Sequence, residues 1–334
     1  MKKQAGISIF GIVWFVASSV AVAQTPQSII WQTTASKAIA ISPDSQLILT
    51  GNQLRSTSSG SVVRTLQSGY SGGQINTEAF SPDGTLAAIG VQAFNRNLFL
   101  FRVADGVQLA GPISAHSNGT SSVAFSPAGD LLASGGSDGT VKLWRVADMT
   151  LLRTLDGGVG YRPRVFAVLF SKDGSMVALG GQGGVLQYRV SDGQLLRQLT
   201  SVTTLSLALS PDGTMLASGS DDIGQNGQCT DCTIKGWLMA SGSFLGTIPS
   251  NNNGVTSLAF SPNGKELAAG SGDSTYMGVV RFFRVADGSL LGSWAQDPKK
   301  PSSYVTNVAY APFGRTFAYA RADSVVVAAF DPFP

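Results

Sequence analysis

Apolar residues along this 334-residue chain fall into short runs, each bounded by Gly, Pro, Asp or Ser, and no stretch sustains helical spacing. One unit illustrates the pattern. An apolar strand, a, ends in Ser121-Ser-Val-Ala-Phe125, and a turn follows. Strand b reads Leu131-Leu-Ala-Ser134 and strand c reads Thr140-Val-Lys-Leu-Trp-Arg-Val146. A second turn, such as Ala286-Asp-Gly288, leads to strand d, as in Leu290-Leu-Gly-Ser-Trp294. With 40 Gly, the chain predicts many short strands joined by tight turns.

The first turn carries a recurring phrase. It reads Ile41-Ser-Pro-Asp44, Phe80-Ser-Pro-Asp-Gly84, Phe125-Ser-Pro-Ala-Gly129, Phe170-Ser-Lys-Asp-Gly174, Leu209-Ser-Pro-Asp-Gly213, Phe260-Ser-Pro-Asn-Gly264 and Tyr310-Ala-Pro-Phe-Gly314. Pro presets φ and Gly accepts positive φ, so the phrase is a turn with a mechanism. Its Ser position falls at 42, 81, 126, 171, 210, 261 and, with Ala in its place, 311, which gives spacings of 39, 45, 45, 39, 51 and 50 residues. Periods of about 40–45 residues with four strands per unit belong to propeller blades. The last unit supplies a (Tyr304–Tyr310), b (Thr316–Arg321) and c (Ser324–Phe330) but no d. Ser28-Ile-Ile-Trp-Gln-Thr33 has the strand d pattern and precedes the first strand a. Docked beside the last strand c, it would close a ring and cover an exposed edge. The expectation is therefore an all-β, seven-bladed propeller of four-stranded antiparallel blades, one domain over residues 24–334, closed by the N-terminal strand.

The third unit carries the most specific motif: Ala115-His116, then Leu132-Ala-Ser-Gly-Gly-Ser-Asp138-Gly-Thr-Val-Lys-Leu-Trp144. This resembles the WD-repeat (WD40) propeller family. The resemblance implies a structural hydrogen-bonded set of His116, Ser134, Asp138 and Trp144. Asp221 and Trp237 keep parts of it in the fifth unit, while Phe101 and Phe283 stand at the Trp place of the second and sixth. A periplasmic TolB-type assembly factor shares the Ser-Pro-Asp-Gly phrase. The Asp-Gly-Thr-Val-Lys-Leu-Trp stretch favours the WD type, and no extra N-terminal domain is expected before the blades.

The first 23 residues read as a signal peptide: Lys2 and Lys3, an apolar Ile7–Val22, and Ala21-Val-Ala23 before Gln24. The mature chain is thus expected outside the cytoplasm, periplasmic or extracellular, without a membrane span. Removing Lys2 and Lys3 from 23 basic residues leaves 21 against 20 acidic, a net charge of +1. That balance gives no electrostatic reason to expect nucleic acid or an anionic membrane as partner.

Candidate chemistry is sparse. His116 is the single histidine, so multi-His metal sites are excluded, and the structural set accounts for it. Cys229 and Cys232 are expected to form a small disulfide in an oxidising compartment; a redox or zinc role lacks the helix or further ligands such sites use. The oxygen-rich run from Asp221 to Asp231 could suit calcium, but its spacing is not that of an EF-hand loop. No nucleophile triad or nucleotide-binding glycine loop emerges. Neither a catalytic residue, a cofactor nor a metal is expected.

Strand direction places the a–b and c–d turns on one face and the longer, uneven b–c and d–a loops on the other, where function usually resides. That face would offer Tyr70, Phe94, Arg96, Tyr161, Arg162, Arg164, Tyr276 and Tyr304, residue types enriched at interaction hot spots. The leading expectation is a non-catalytic exported scaffold, monomeric, binding an unidentified protein or peptide there. The alternative is an enzyme or ligand-binding propeller, lactonase-like or sugar- or metal-binding, using the central channel. It would need carboxylates or His at the strand a entrances, where Glu78 is one of few acids.

Overall fold

The structure, a computed structural model, describes residues 28–34, 37–66, 74–158, 164–223, 229–250, 254–272, 278–295, 304–321 and 324–330. The expected signal peptide lies outside them. Seven four-stranded antiparallel sheets follow one another as the blades of a β-propeller, and the described residues contain no helix. Blade 3 is typical, with strands a (Thr120–Phe125), b (Leu131–Gly136), c (Thr140–Arg145) and d (Thr150–Asp156). Blade 1 is the shortest, its strand a reduced to Ala40–Ile41. Residues Ser28–Thr34 pair antiparallel with Ser324–Ala329, the last strand c, and so supply strand d of blade 7.

In blades 1 to 6 the phrase turn is held by its own side chains. In blades 1, 2, 4 and 5 the hydroxyls of Ser42, Ser81, Ser171 and Ser210 donate at 2.5 Å to Oδ1 of Asp44, Asp83, Asp173 and Asp212. The same hydroxyls accept the backbone N–H five residues on, at 2.9 Å. Each Asp in turn accepts the N–H two residues beyond it, at 3.0–3.1 Å. Blade 6 uses Asn263 in this role, and blade 3, with Ala128 in the Asp place, recruits Asp130 instead. The closing Gly takes a left-handed conformation, φ 72° at Gly84. Its Cα faces the Pro of the preceding blade: a Cβ built on Gly84 would stand 3.5 Å from Pro43 Cδ, and one on Gly129 3.6 Å from Pro82 Cδ. The phrase therefore shapes a turn and also stacks one blade on the next.

Buried apolar residues form seven clusters, one between each pair of neighbouring blades. Leu98, Leu100, Val123 and Trp144 meet between blades 2 and 3; Ile39, Ile48, Val325 and Val327 meet between blades 1 and 7. Nearer the axis, strands a of blades 2–7 share a β-bulge near their start, for example between Thr120 and Ser122. The bulge turns small polar side chains toward the next blade. There the hydroxyls of Thr77, Ser122 and Ser257 accept the N–H of Val123, Val168 and Val308 at 3.0–3.1 Å. Thr306 donates to the carbonyl of Lys37 at 2.8 Å, fastening blade 7 to blade 1. These bonds satisfy strand groups that the bulge releases from the ladder.

Glu78 departs from this pattern. Three residues before the phrase Ser, the other blades place Ile39, Val123, Val168, Leu207, Leu258 and Val308. Blade 2 places Glu78 there, buried, with no hydrogen-bond partner for either carboxylate oxygen. It faces the backbone of Gly51 of blade 1. Desolvation pushes its carboxyl well above the usual range, and the backbone of Gly51 opposes this only in part.

Candidate interaction face

Antiparallel order within each blade puts the b–c and d–a loops together on one face. Over blades 2 to 4 that face rests on a hydrogen-bonded frame. His116, in the loop entering blade 3, is buried, with Nδ1 3.0 Å from Asp138 Oδ1 and Nε2 2.8 Å from Ser134 Oγ. Trp144 Nε1 donates to the same Ser134 oxygen at 2.9 Å. The donor inventory sets the protons. Asp138 only accepts, so Nδ1 carries hydrogen; Trp144 only donates, so Ser134 Oγ accepts from it while also bonding Nε2. Burial raises the Asp138 carboxyl, but hydrogen bonds from His116, the Ser117 amide and Thr140 outweigh it and hold the group far below the ordinary carboxylate range.

The same frame is partial in blade 5. Trp237 Nε1 donates to Ser218 Oγ at 3.0 Å, but Asp231, not Asp221, occupies the place of Asp138. Thr233 donates to its Oδ1 at 2.6 Å, as Thr140 does to Asp138 at 2.8 Å. Asp231 also pairs with Lys235, so this carboxylate of the oxygen-rich loop already has a cation. Burial raises the Asp231 carboxyl, but the hydrogen bonds from Lys235, Thr233 and Ser220 and the Lys235 charge together outweigh it and hold the group below the ordinary range. Part of that loop forms a hairpin, Asp222–Ile223 against Cys229–Asp231. Phe101 and Phe283 occupy the register position of Trp144 and are buried.

A second frame residue, Asn97, escaped the sequence reading. It is fully buried at the end of the b–c loop of blade 2. Its Oδ1 accepts from the amides of Ala115 and His116, at 3.2 and 3.1 Å, and from the Thr120 hydroxyl at 3.1 Å. Its Nδ2 donates to the carbonyls of Ala93 and His116. Asn97 thus ties the loop carrying Phe94 and Arg96 to the loop carrying His116. Within the Phe94 loop Arg96 takes φ 64°. A single Asn in a polar loop carries no signal of such a role; only the loop it reaches reveals it.

Above this frame lies a cleft of about 540 Å³ lined by Gln92, Ala93, Phe94, Asn118, Ser137, Arg164 and Gln182. Blades 2, 3 and 4 all contribute. Its wall is preset: Asn76 donates to Gln92 Oε1 and Gln92 Nε2 to the Asn118 carbonyl, both at 3.0 Å. Gln182 Oε1 accepts the Arg164 backbone amide at 3.1 Å. Phe94 is 80% exposed at its edge. The structure therefore brings Phe94 and Arg164 into one site, with Arg96 exposed on the same loop. Tyr304 is also exposed, but stands before strand a of blade 7, apart from them. Tyr70, Tyr161, Arg162 and Tyr276 lie outside the described residues. Cys232 is buried, and the side chain of Cys229 lies outside them too.

Residues 108–145, 193–237 and 242–276 match the WD domain, G-beta repeat family. The chain is 29% identical over 187 residues to the small ribosomal subunit protein RACK1y of Oryza sativa subsp. japonica, covering 53% of this chain and 51% of that protein. It is 29% identical over 181 residues to the WD repeat-containing protein SL1-17 of Schistosoma mansoni, covering 53% and 54%. An uncharacterized WD repeat-containing protein of Synechocystis is 35% identical over 106 residues, 31% of this chain and 28% of that one. The chain spans about half the length, or less, of these relatives. Together with the blades, the likenesses support a WD40-type β-propeller.

Proposed function

We propose that this protein is a non-catalytic, exported interaction scaffold that binds a protein or peptide through the b–c/d–a face. The observation that carries this reading is the framed cleft over blades 2 to 4, where Phe94 stands on a loop tied down by Asn97 and Arg164 is fixed through its backbone amide by Gln182. Rigid loops lose little freedom on binding, which favours a docking surface. His116 and Asp138 are consumed by the frame, so neither stands ready as a general base. Similarity to one protein named as a small ribosomal subunit protein and one named as a telomerase protein component supports a part in assemblies. Export through residues 1–23, a monomeric state and a Cys229–Cys232 disulfide belong to the same proposal. Intact mass of the secreted chain before and after alkylation tests signal cleavage and the disulfide: the chain should begin at Gln24 and take up no alkylating reagent until reduced.

The docking reading is tested by capture from the exported fraction with three baits: the wild type, Phe94→Ala on the loop face, and Lys265→Glu on the opposite face. A specific partner lost only with Phe94→Ala supports it. Recovery of no specific partner together with a stoichiometric bound metal would overturn it in favour of a channel ligand.

A further inference from the structure

The cleft over blades 2 to 4 has a chemical bias, and from it we infer that the cleft binds an acidic peptide segment; this rests on the b–c/d–a face being the docking surface. Hydrogen-bonding capacity left over at the site is weighted toward donors. Both ends of the Gln92 amide are engaged within the wall. Gln182 spends its oxygen on the Arg164 amide, which leaves its Nε2 hydrogens for a ligand. Arg164 lines the cleft, exposed and with no ion-pair partner among the described residues, and its guanidinium carries five donors in a fixed fork. The side chains of Asn118 and Ser137 are likewise uncommitted there.

Acceptors with negative charge are missing from the wall. Among the described residues no carboxylate lines the cleft. The nearest acid in sequence, Asp138, turns its oxygens down onto His116, Ser117 and Thr140. Arg96, on the same loop as Phe94, is exposed and adds a second cation beside the rim. Other described acids of this face are Asp156, on the loop that leads to Arg164, whose Oδ1 accepts the Gly158 amide at 3.1 Å, and Asp231 of blade 5, paired with Lys235; neither lines the cleft. A ligand with carboxylates and backbone carbonyls meets this inventory: carboxylate on Arg164, carbonyls on Gln182 and Asn118, and an apolar neighbour on Phe94. Charge-assisted bonds of the Arg–carboxylate kind are the strong ones in such a set.

Fluorescence polarisation with labelled peptides tests it. The probes are a Gly-Ser-Glu repeat, its Gln and Lys counterparts, and a single-stranded oligothymidine. We expect the Glu peptide alone to bind, less tightly at high ionic strength. Arg164→Ala should weaken it by about tenfold or more, Arg164→Glu should abolish it, and Lys265→Glu should leave it unchanged. Circular dichroism controls for folding; Arg164 is exposed, so its variants should fold. Equal binding of the Gln peptide or the oligothymidine, retention by Arg164→Glu, or no binding of the Glu peptide would each overturn the acidic specificity. If that fails while capture of a partner still depends on Phe94, the docking face stands and only its chemistry is wrong.

Discussion

At the residue scale, Glu78 is the sharpest departure from the repeat. An unpartnered buried polar group costs about 1–3 kcal/mol, and six other blades show that an aliphatic side chain fits its position. Glu78→Leu should therefore raise stability by about that amount, measured as a higher urea midpoint. Its pH dependence has a definite sign. The folded carboxyl titrates above the unfolded one, so the native state holds the extra proton between the two values. Stability is fully present below the unfolded value of about 4.3 and declines as pH rises toward the folded one. Glu78→Gln should flatten that slope; an unchanged slope would show that Glu78 is not its source. His116 is the opposite case, since each ring nitrogen is used. His116→Ala should destabilise by about 2–3 kcal/mol in urea unfolding, because Ser134 and Asp138 both lose a buried partner. A change near zero would mean that the frame does not depend on the ring.

At the element scale, the phrase turn acts as a unit. Ser81→Ala removes both the donor to Asp83 and the acceptor for the Leu86 amide. A loss of about 1–2 kcal/mol is expected, and Ser42, Ser171 and Ser210 should behave alike; a loss confined to one blade would argue against a shared device. The carboxyls of Asp44, Asp83, Asp173 and Asp212 are all held below the ordinary range, first by the Ser hydroxyl. Their stabilisation is complete above the unfolded value of about 3.9 and is lost as pH falls through the folded values. Melting temperature should thus drop steeply in strong acid, less so in a variant with these Asp replaced by Asn. These turns were legible because Ser, Pro, Asp and Gly act within five consecutive residues. Loop function was less legible: Phe94 and Arg164 stood out by type, but Asn97 acts across to residues 115–120, which no local pattern shows.

At the scale of the whole molecule, stability is distributed over seven interblade clusters, and closure depends on Ser28–Thr34. This strand covers the edge of Ser324–Ala329 and reaches blade 1, where Trp31 Nε1 donates to the Thr57 carbonyl at 2.8 Å. Removing residues 28–34 would leave an apolar edge unpaired. Lower thermal stability and concentration-dependent light scattering are expected; a variant that stays monodisperse with an unchanged melt would show that the ring does not need this strand.

Blade number, strand order and the closing strand were set by the sequence alone, since each follows from the spacing of a local turn signal and from period-two hydrophobicity. So was the set of His116, Ser134, Asp138 and Trp144, through its resemblance to a family motif. Tertiary structure decided the rest. It showed that Asp231 replaces Asp221 in blade 5, that Glu78 is sealed against Gly51, and that Asn97 ties two loops beneath Phe94. It also gathered Gln92, Arg164 and Gln182, spread over ninety-one positions, into one cleft. The physical reason is common to the last three. Turn chemistry is encoded between near neighbours, whereas burial and partnership are settled between blades, where contacts join residues dozens of positions apart.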